Sequence, residues 1–219
     1  MFIVILFVVY GFLFILAGLV RMPLSELGIN ENSTADGFFM LLSESVLAVG
    51  SVIGLLVVYK LSHKVVPYPA SPIGLSLKGH GREALAGVGV AAGLYAAGFL
   101  LNLLFGGITI TGVHFHASSL LQTWVFFFFV AVFEDTMCRG FLLGRMLDAG
   151  INKFVALALS SSVFSILHLA NPNFATLPFI NLLLAGVLLG SAYIYTRNLW
   201  FAILLHWFWN WLQGPVLGF

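Results

Sequence analysis

The chain has 219 residues, of which 61% are hydrophobic and only 8% are charged. Because charged residues make up about a quarter of a soluble domain, this composition excludes an ordinary soluble domain and predicts a protein embedded in a lipid bilayer. The net charge is +1 and no run of basic residues occurs, which excludes nucleic acid as a partner. Cys138 is the single cysteine, so an internal disulfide is excluded.

Seven apolar segments approach the length of about 20 residues that a helix needs to cross the hydrocarbon core. In chain order they cover residues 1–20, 38–59, 84–105, 120–147, 154–169, 178–195 and 199–212. The first segment lacks the basic start and the cleavage site of a signal peptide, so we predict that it is a retained span. The sequence therefore predicts an all-α, polytopic bundle of about seven transmembrane helices, forming a single integral membrane domain over residues 1–219.

Lysine and arginine are concentrated in the even-numbered loops of this predicted bundle. These loops contain Lys60, Lys64, Lys78, Arg82, Arg145, Lys153 and Arg197. The odd-numbered loops and the C-terminal tail contain only Arg21. Because cytoplasmic loops are enriched in both residue types, we predict a multi-pass protein of the cell membrane with its N-terminus in the cytoplasm and its C-terminus outside.

Three short motifs place polar side chains inside the apolar segments of residues 119–213, whereas we assign no site residue to the N-terminal helices at 1–118. An ionisable group in hydrocarbon costs at least about 2.5 kcal/mol and is therefore a functional-site hypothesis by default. In the first motif Asp135 and Arg139 are one turn apart on one helix face, which predicts an ion pair that braces the helix. Glu134 points elsewhere and is a candidate general base. A buried structural network of the three groups is the alternative.

The second and third motifs lie on the fifth and seventh predicted spans. His168 follows Phe164 by one turn, so that Phe164 can wall the imidazole from lipid, and His206 precedes Asn210 by one turn. Each motif alone also fits a structural role in a membrane bundle. Counting about 1.5 Å per residue from the predicted cytoplasmic ends, Glu134 and His168 lie about 20 Å deep and the third motif about 10 to 16 Å. These depths predict one convergent polar site.

The ordered motifs resemble those of the CPBP intramembrane protease family, which includes CAAX prenyl endopeptidases and bacteriocin-processing or immunity proteins. The likeness covers about residues 120–213 and departs from the family's usual acidic pair, Glu-Glu, only at Asp135. The resemblance implies that Glu134 and His168 activate a water for attack on a peptide carbonyl. It further implies that His206 and Asn210 stabilise the oxyanion. Asp135, Arg139 and Phe164 are the predicted supporting residues, and we favour chemistry without a cofactor.

Several alternatives to this mechanism stay open. Because the family was formerly described as metalloproteases, Glu134, His168 and His206 form a possible zinc ligand set. Cys138 lies one turn after Glu134 and is a weaker candidate nucleophile. An ion-relay transporter or a non-catalytic immunity or scaffold protein would also place titratable groups in membrane spans. The predicted partners are the bilayer and a membrane-anchored or lipidated peptide or protein, which could be a CAAX protein, a bacteriocin leader, a pheromone or a C-terminal sorting anchor.

Overall fold

A computed structural model describes residues 73–113, 115–169 and 175–218, together with Val46, Val49, Gly50, Ile53 and Lys60. All regular secondary structure within these residues is helical, which confirms the predicted all-α class. The predicted span at 1–20 lies outside the described residues, and the span at 38–59 is described at four helical positions only. The described ranges therefore contain helices at five of the seven predicted spans, and the count of seven is not confirmed.

The described helices follow the predicted segments closely. They are α1 (Gly81–Leu104), α2 (Ala117–Asp135), a π-helical segment (Thr136–Leu143), α3 (Gly144–Asp148), α4 (Lys153–Leu167), α5 (Thr176–Thr196) and α6 (Trp200–Trp211), which continues into a second π-helical segment (Leu212–Val216). Three helical stretches have the length and the composition to cross a membrane: α1, the continuous run Ala117–Asp148, and α5. At 15 residues, α4 is about 22 Å long and shorter than the hydrocarbon core.

Helix α6 lies at the centre of the described bundle and packs against α1, α2 and α5, while α4 packs against α5. Small residues make two of these contacts close. A Cβ added at Gly87 of α1 would lie 2.4 Å from the backbone oxygen of Phe201, and one added at Gly186 of α5 would lie 2.9 Å from Ser161 of α4. Close backbone approach at small residues is how helices pack in membranes, where lipid removes the hydrophobic drive for their association.

The turns with the predicted cytoplasmic basic residues lie together at one end of the bundle. Arg197, between α5 and α6, approaches Asp148 at the end of α3 with an Nη1–Oδ1 distance of 3.3 Å. The side chain of Asn198 donates to the backbone oxygen of Ser76 at 2.7 Å. The segment before α1, the end of α3 and the turn after α5 are therefore neighbours, as an antiparallel arrangement of these spans requires.

The contact at Gly87 yields a stability prediction. Gly87→Ala places a methyl group against the α6 backbone, so we expect a loss of roughly 1–3 kcal/mol of folding free energy and a lower thermal unfolding midpoint in detergent. Gly89→Ala in the same helix is the matched control, because a Cβ there meets nothing within 4 Å. Alanine improves helix propensity, so the control should unfold at the same or a higher temperature. Equal midpoints for both variants would contradict the close α1–α6 contact.

Candidate active site

The polar motif at the end of α2 enters a helical irregularity that the sequence did not indicate. A uniform helix was predicted over 120–147, but residues Thr136–Leu143 form a π-helix. Most of this segment is buried, and a Cβ at Gly140 would lie 2.5 Å from Cγ2 of Ile73 and 3.0 Å from Cδ1 of Leu199. Wide π turns within α-helices are rare and are frequent at functional sites. Here the π turn follows directly after Glu134 and Asp135.

The predicted pair between Asp135 and Arg139 is present and fully buried. Nη1 of Arg139 lies 3.2 Å from Oδ1 of Asp135, and the two side chains are 1% and 0% exposed. The separation is that of an ion pair without hydrogen-bond geometry, and neither Nη atom of Arg139 has a hydrogen-bond partner among the described residues. The guanidinium instead stacks on the ring of Phe164, 4.0 Å from its centroid. Charge and cation–π contact together hold Arg139 in place.

Asp135 also reaches across the bundle to α6. Its second oxygen, Oδ2, lies 3.2 Å from Nδ1 of His206. One buried carboxylate thus contacts a cation on its own helix and an imidazole on another helix. The spacing of Asp135 and Arg139 indicated the first contact, whereas no helical periodicity could indicate the second, because His206 is 71 residues away in the chain.

Glu134 faces both histidines of the predicted site. Its Oε2 atom lies 3.6 Å from Nε2 of His168 and 3.8 Å from Nε2 of His206. The Glu134 and His168 side chains are 20% and 17% exposed, and His206 is 7% exposed. The structure therefore brings together three of the four predicted catalytic residues, from α2, the end of α4 and α6. The cluster is largely enclosed but open on one side.

The hydrogen bonds of the two rings fix the direction of their nitrogens. Nδ1 of His168 lies 2.8 Å from the backbone oxygen of Phe164, and Nδ1 of His206 faces the carboxylate of Asp135. Both partners are acceptors, so each Nδ1 carries a hydrogen, and in a neutral ring Nε2 then carries a lone pair. In neutral rings the two Nε2 atoms and the Glu134 oxygen would all be hydrogen-bond acceptors. They would then face one another with no hydrogen between them. Such a site calls for a proton, a water or a cation between its members.

Phe164 forms the floor of this cluster. Its ring centroid lies 4.7 Å from that of His168 and 5.8 Å from that of His206, and the Arg139 guanidinium lies over the same ring. The side chain itself is 2% exposed. The predicted wall between imidazole and lipid is therefore part of a larger arrangement in which one apolar ring contacts both histidines and the buried cation.

Two further candidate residues make no polar side-chain contact with the cluster of three. Asn210 is half-buried one turn after His206, and its side-chain amide makes no hydrogen bond to another described residue. Cys138 is buried in an apolar group with Met137, Phe141 and Phe164, as expected for packing rather than for a nucleophile. Across the described ranges, no group of three or more His, Cys, Asp or Glu side chains has the arrangement of a metal site. The zinc set Glu134, His168 and His206 does not meet that arrangement.

Polar groups from three helices thus converge inside an apolar bundle. Residues 116–212 match the family model described as Type II CAAX prenyl endopeptidase Rce1-like. The matched segment carries all three motifs, and the resemblance predicted from the motifs is confirmed. Comparison with curated proteins gave no match, and comparison with solved structures gave none either. The match to a membrane-embedded family, together with the long apolar helices, supports an integral membrane protein.

The buried ion pair yields a prediction for stability. Arg139→Met leaves Asp135 as a buried charge without its cation, so we expect a loss of about 3–5 kcal/mol and a markedly lower thermal midpoint. Arg145→Met is the matched control: its partner Asp148 is more exposed and keeps Arg197 as a second partner. That variant should lose at most about 1 kcal/mol. Similar losses for both variants would contradict a larger contribution of the buried pair to the free energy of unfolding.

Proposed function

We propose that the protein is an intramembrane endopeptidase of the glutamic type, which hydrolyses a peptide bond in a membrane-associated protein or peptide. One observation carries the proposal: Oε2 of Glu134 lies within 4 Å of Nε2 of both His168 and His206, inside the bundle. The family match over residues 116–212 supports hydrolysis over an ion-relay or scaffold role.

Glu134 and His168 activate the water in this proposal. A water between Oε2 of Glu134 and Nε2 of His168 donates to both acceptors and leaves an oxygen lone pair free to attack. As the oxygen bonds to the peptide carbonyl carbon, Glu134 takes one water proton, and the carbonyl oxygen becomes the oxyanion. That proton then passes to the leaving nitrogen as the C–N bond breaks, so the products are a carboxylic acid and an amine. The 3.6 Å separation leaves this pair room to share a water.

His206 and Asn210 stabilise the oxyanion. Because Nδ1 of His206 already donates to Asp135, the ring donates from Nε2 only when both nitrogens are protonated. Asn210 supplies a second donor from the same helix, and its amide forms no competing hydrogen bond within the described residues. Two donors aimed at the developing charge in a site screened from water are an effective oxyanion hole.

The substrate class follows from the place of the site and from the family. A cluster within the bundle suits a peptide delivered through the bilayer, and the family description names CAAX prenyl endopeptidases. We propose a membrane-anchored or lipidated peptide with a cleavage site near its anchor. Bacteriocin leaders, peptide pheromones and sorting anchors meet the same requirement. The basic end of the bundle, with Arg145 and Arg197, faces the cytoplasm in this proposal.

Replacement of the base tests the proposal directly. Glu134→Gln keeps the size of the side chain but removes the proton acceptor, so cleavage of a quenched CAAX peptide in proteoliposomes should fall about 10²- to 10⁴-fold. Glu83→Gln is the matched control, since Glu83 lies in the first turn of α1 at the basic end. Both variants should elute as folded protein with near-native midpoints. Full activity in Glu134→Gln would exclude this mechanism.

Chelation separates the two forms of the protease. We propose metal-independent chemistry, in which Glu134, His168 and His206 hold water rather than zinc. Cleavage should therefore persist after dialysis against 1,10-phenanthroline, and added zinc should not increase it. A soluble zinc protease assayed in the same vesicles and chelator is the control. Loss of activity that zinc alone restores would establish the zinc-dependent form instead.

A further inference from the structure

We propose that Asp135 is the positioning residue of His206: its carboxylate holds the ring by Nδ1 and thereby directs Nε2 toward Glu134. The inference rests on the proposed function, in which His206 acts on the substrate. It gives Asp135 a role beyond the pairing with Arg139 that its helical spacing indicates. The proposal rests on the geometry of one buried carboxylate with two partners on different helices.

The two oxygens of Asp135 have separate partners. Oδ1 lies 3.2 Å from Nη1 of Arg139, and Oδ2 lies 3.2 Å from Nδ1 of His206. The side chain is 0% exposed, so bulk water does not compete for either oxygen. An ionised carboxylate only accepts hydrogen bonds, which requires His206 to carry its hydrogen on Nδ1. The carboxylate thus requires a hydrogen on Nδ1 and sets the direction of the ring.

The other contacts of the His206 ring are weaker. Its Nε2 lies 3.8 Å from Oε2 of Glu134, beyond hydrogen-bond distance, and the ring also contacts Phe164, edge to face at 79° and 5.8 Å between centroids. An apolar contact of this kind fills space but does not distinguish a nitrogen from a carbon. Half a turn of the ring about its Cβ–Cγ bond would keep the packing and move both nitrogens. Asp135 is the group that makes one of the two ring orientations favourable, because only one presents Nδ1 to it.

Arg139 keeps Asp135 in the required position. The guanidinium pairs with Oδ1, the oxygen that does not contact His206, and is itself held over the Phe164 ring. Phe164 in turn contacts His206, so Arg139, Asp135, His206 and Phe164 form a closed set of contacts. Removal of the carboxylate leaves Arg139 and His206 connected only through the apolar ring of Phe164.

Spectroscopy tests the proposal without any need for activity. The wild-type protein is labelled with ¹⁵N-histidine in lipid nanodiscs, and the His206 signals are assigned by their loss in His206→Gln. We expect a hydrogen on Nδ1 of His206 in wild type, and loss of that preference in Asp135→Asn. An Nδ1 without hydrogen in the wild-type protein would overturn the proposal. The wild-type measurement stands even where an Asp135 variant fails to fold.

Kinetics tests whether Asp135 acts through His206. Asp135→Ala should lower kcat for the membrane CAAX peptide about 100-fold, as a small misplacement of a reacting group does, with little change in KM. The double variant Asp135→Ala/His206→Ala should be no slower than His206→Ala alone. If the loss of kcat in the double variant equals the product of the two single losses, Asp135 acts independently of His206. That result would overturn the proposal.

A matched control and the Glu134 variant keep the outcomes apart. Asp148→Asn removes a carboxylate paired with arginines at the basic end and should leave kcat unchanged. Asp135→Asn should lower kcat. Full activity in Glu134→Gln refutes the proposed function, whatever the state of His206. If the enzyme is active and requires Glu134 but Nδ1 of His206 carries no hydrogen, only the role proposed for Asp135 is refuted.

Discussion

The buried carboxylate of Asp135 is the contact on which the rest of the site depends. A charge removed from water is tolerated only when it is paired, and Asp135 is paired twice, with Arg139 on its own helix and with His206 on α6. These two contacts connect the π-helical segment after α2 to the central helix of the bundle. Because Glu134 precedes Asp135 in the chain, the fixed position of Asp135 also sets where Glu134 meets the two imidazoles.

The backbone makes this convergence possible. Helix α4 ends at Leu167 after 15 residues, so His168 caps a helix that is shorter than the hydrocarbon core. Nδ1 of His168 donates a hydrogen bond to the backbone oxygen of Phe164. That oxygen lies in the last turn of the helix, where carbonyl groups lack a backbone donor. Because the helix is short, His168 both hydrogen-bonds a carbonyl of the helix terminus and presents its Nε2 to Glu134 within the bundle.

Phe164 shows how an apolar side chain organises a polar site. One ring contacts the Arg139 guanidinium on one side and both histidines on others. Such a surface excludes water from the buried cation while leaving the nitrogens of the rings free for chemistry. A low local dielectric then strengthens every charged interaction nearby, including the one between Glu134 and the imidazoles. The same property makes a loss of any one partner costly.

The sequence by itself determined the membrane setting, the helical class and the candidate residues of the site, because apolar length and the cost of ionisable groups in hydrocarbon are properties of composition and spacing. It also determined the pair of Asp135 with Arg139, which needs only four residues of regular helix. The contact of Asp135 with His206 and the π turn at 136–143 were decided by the tertiary structure. Both features depend on contacts between helices that are distant in the chain. Small residues such as Gly87 and Gly186 set how closely these backbones approach, and no local period in the sequence encodes that distance.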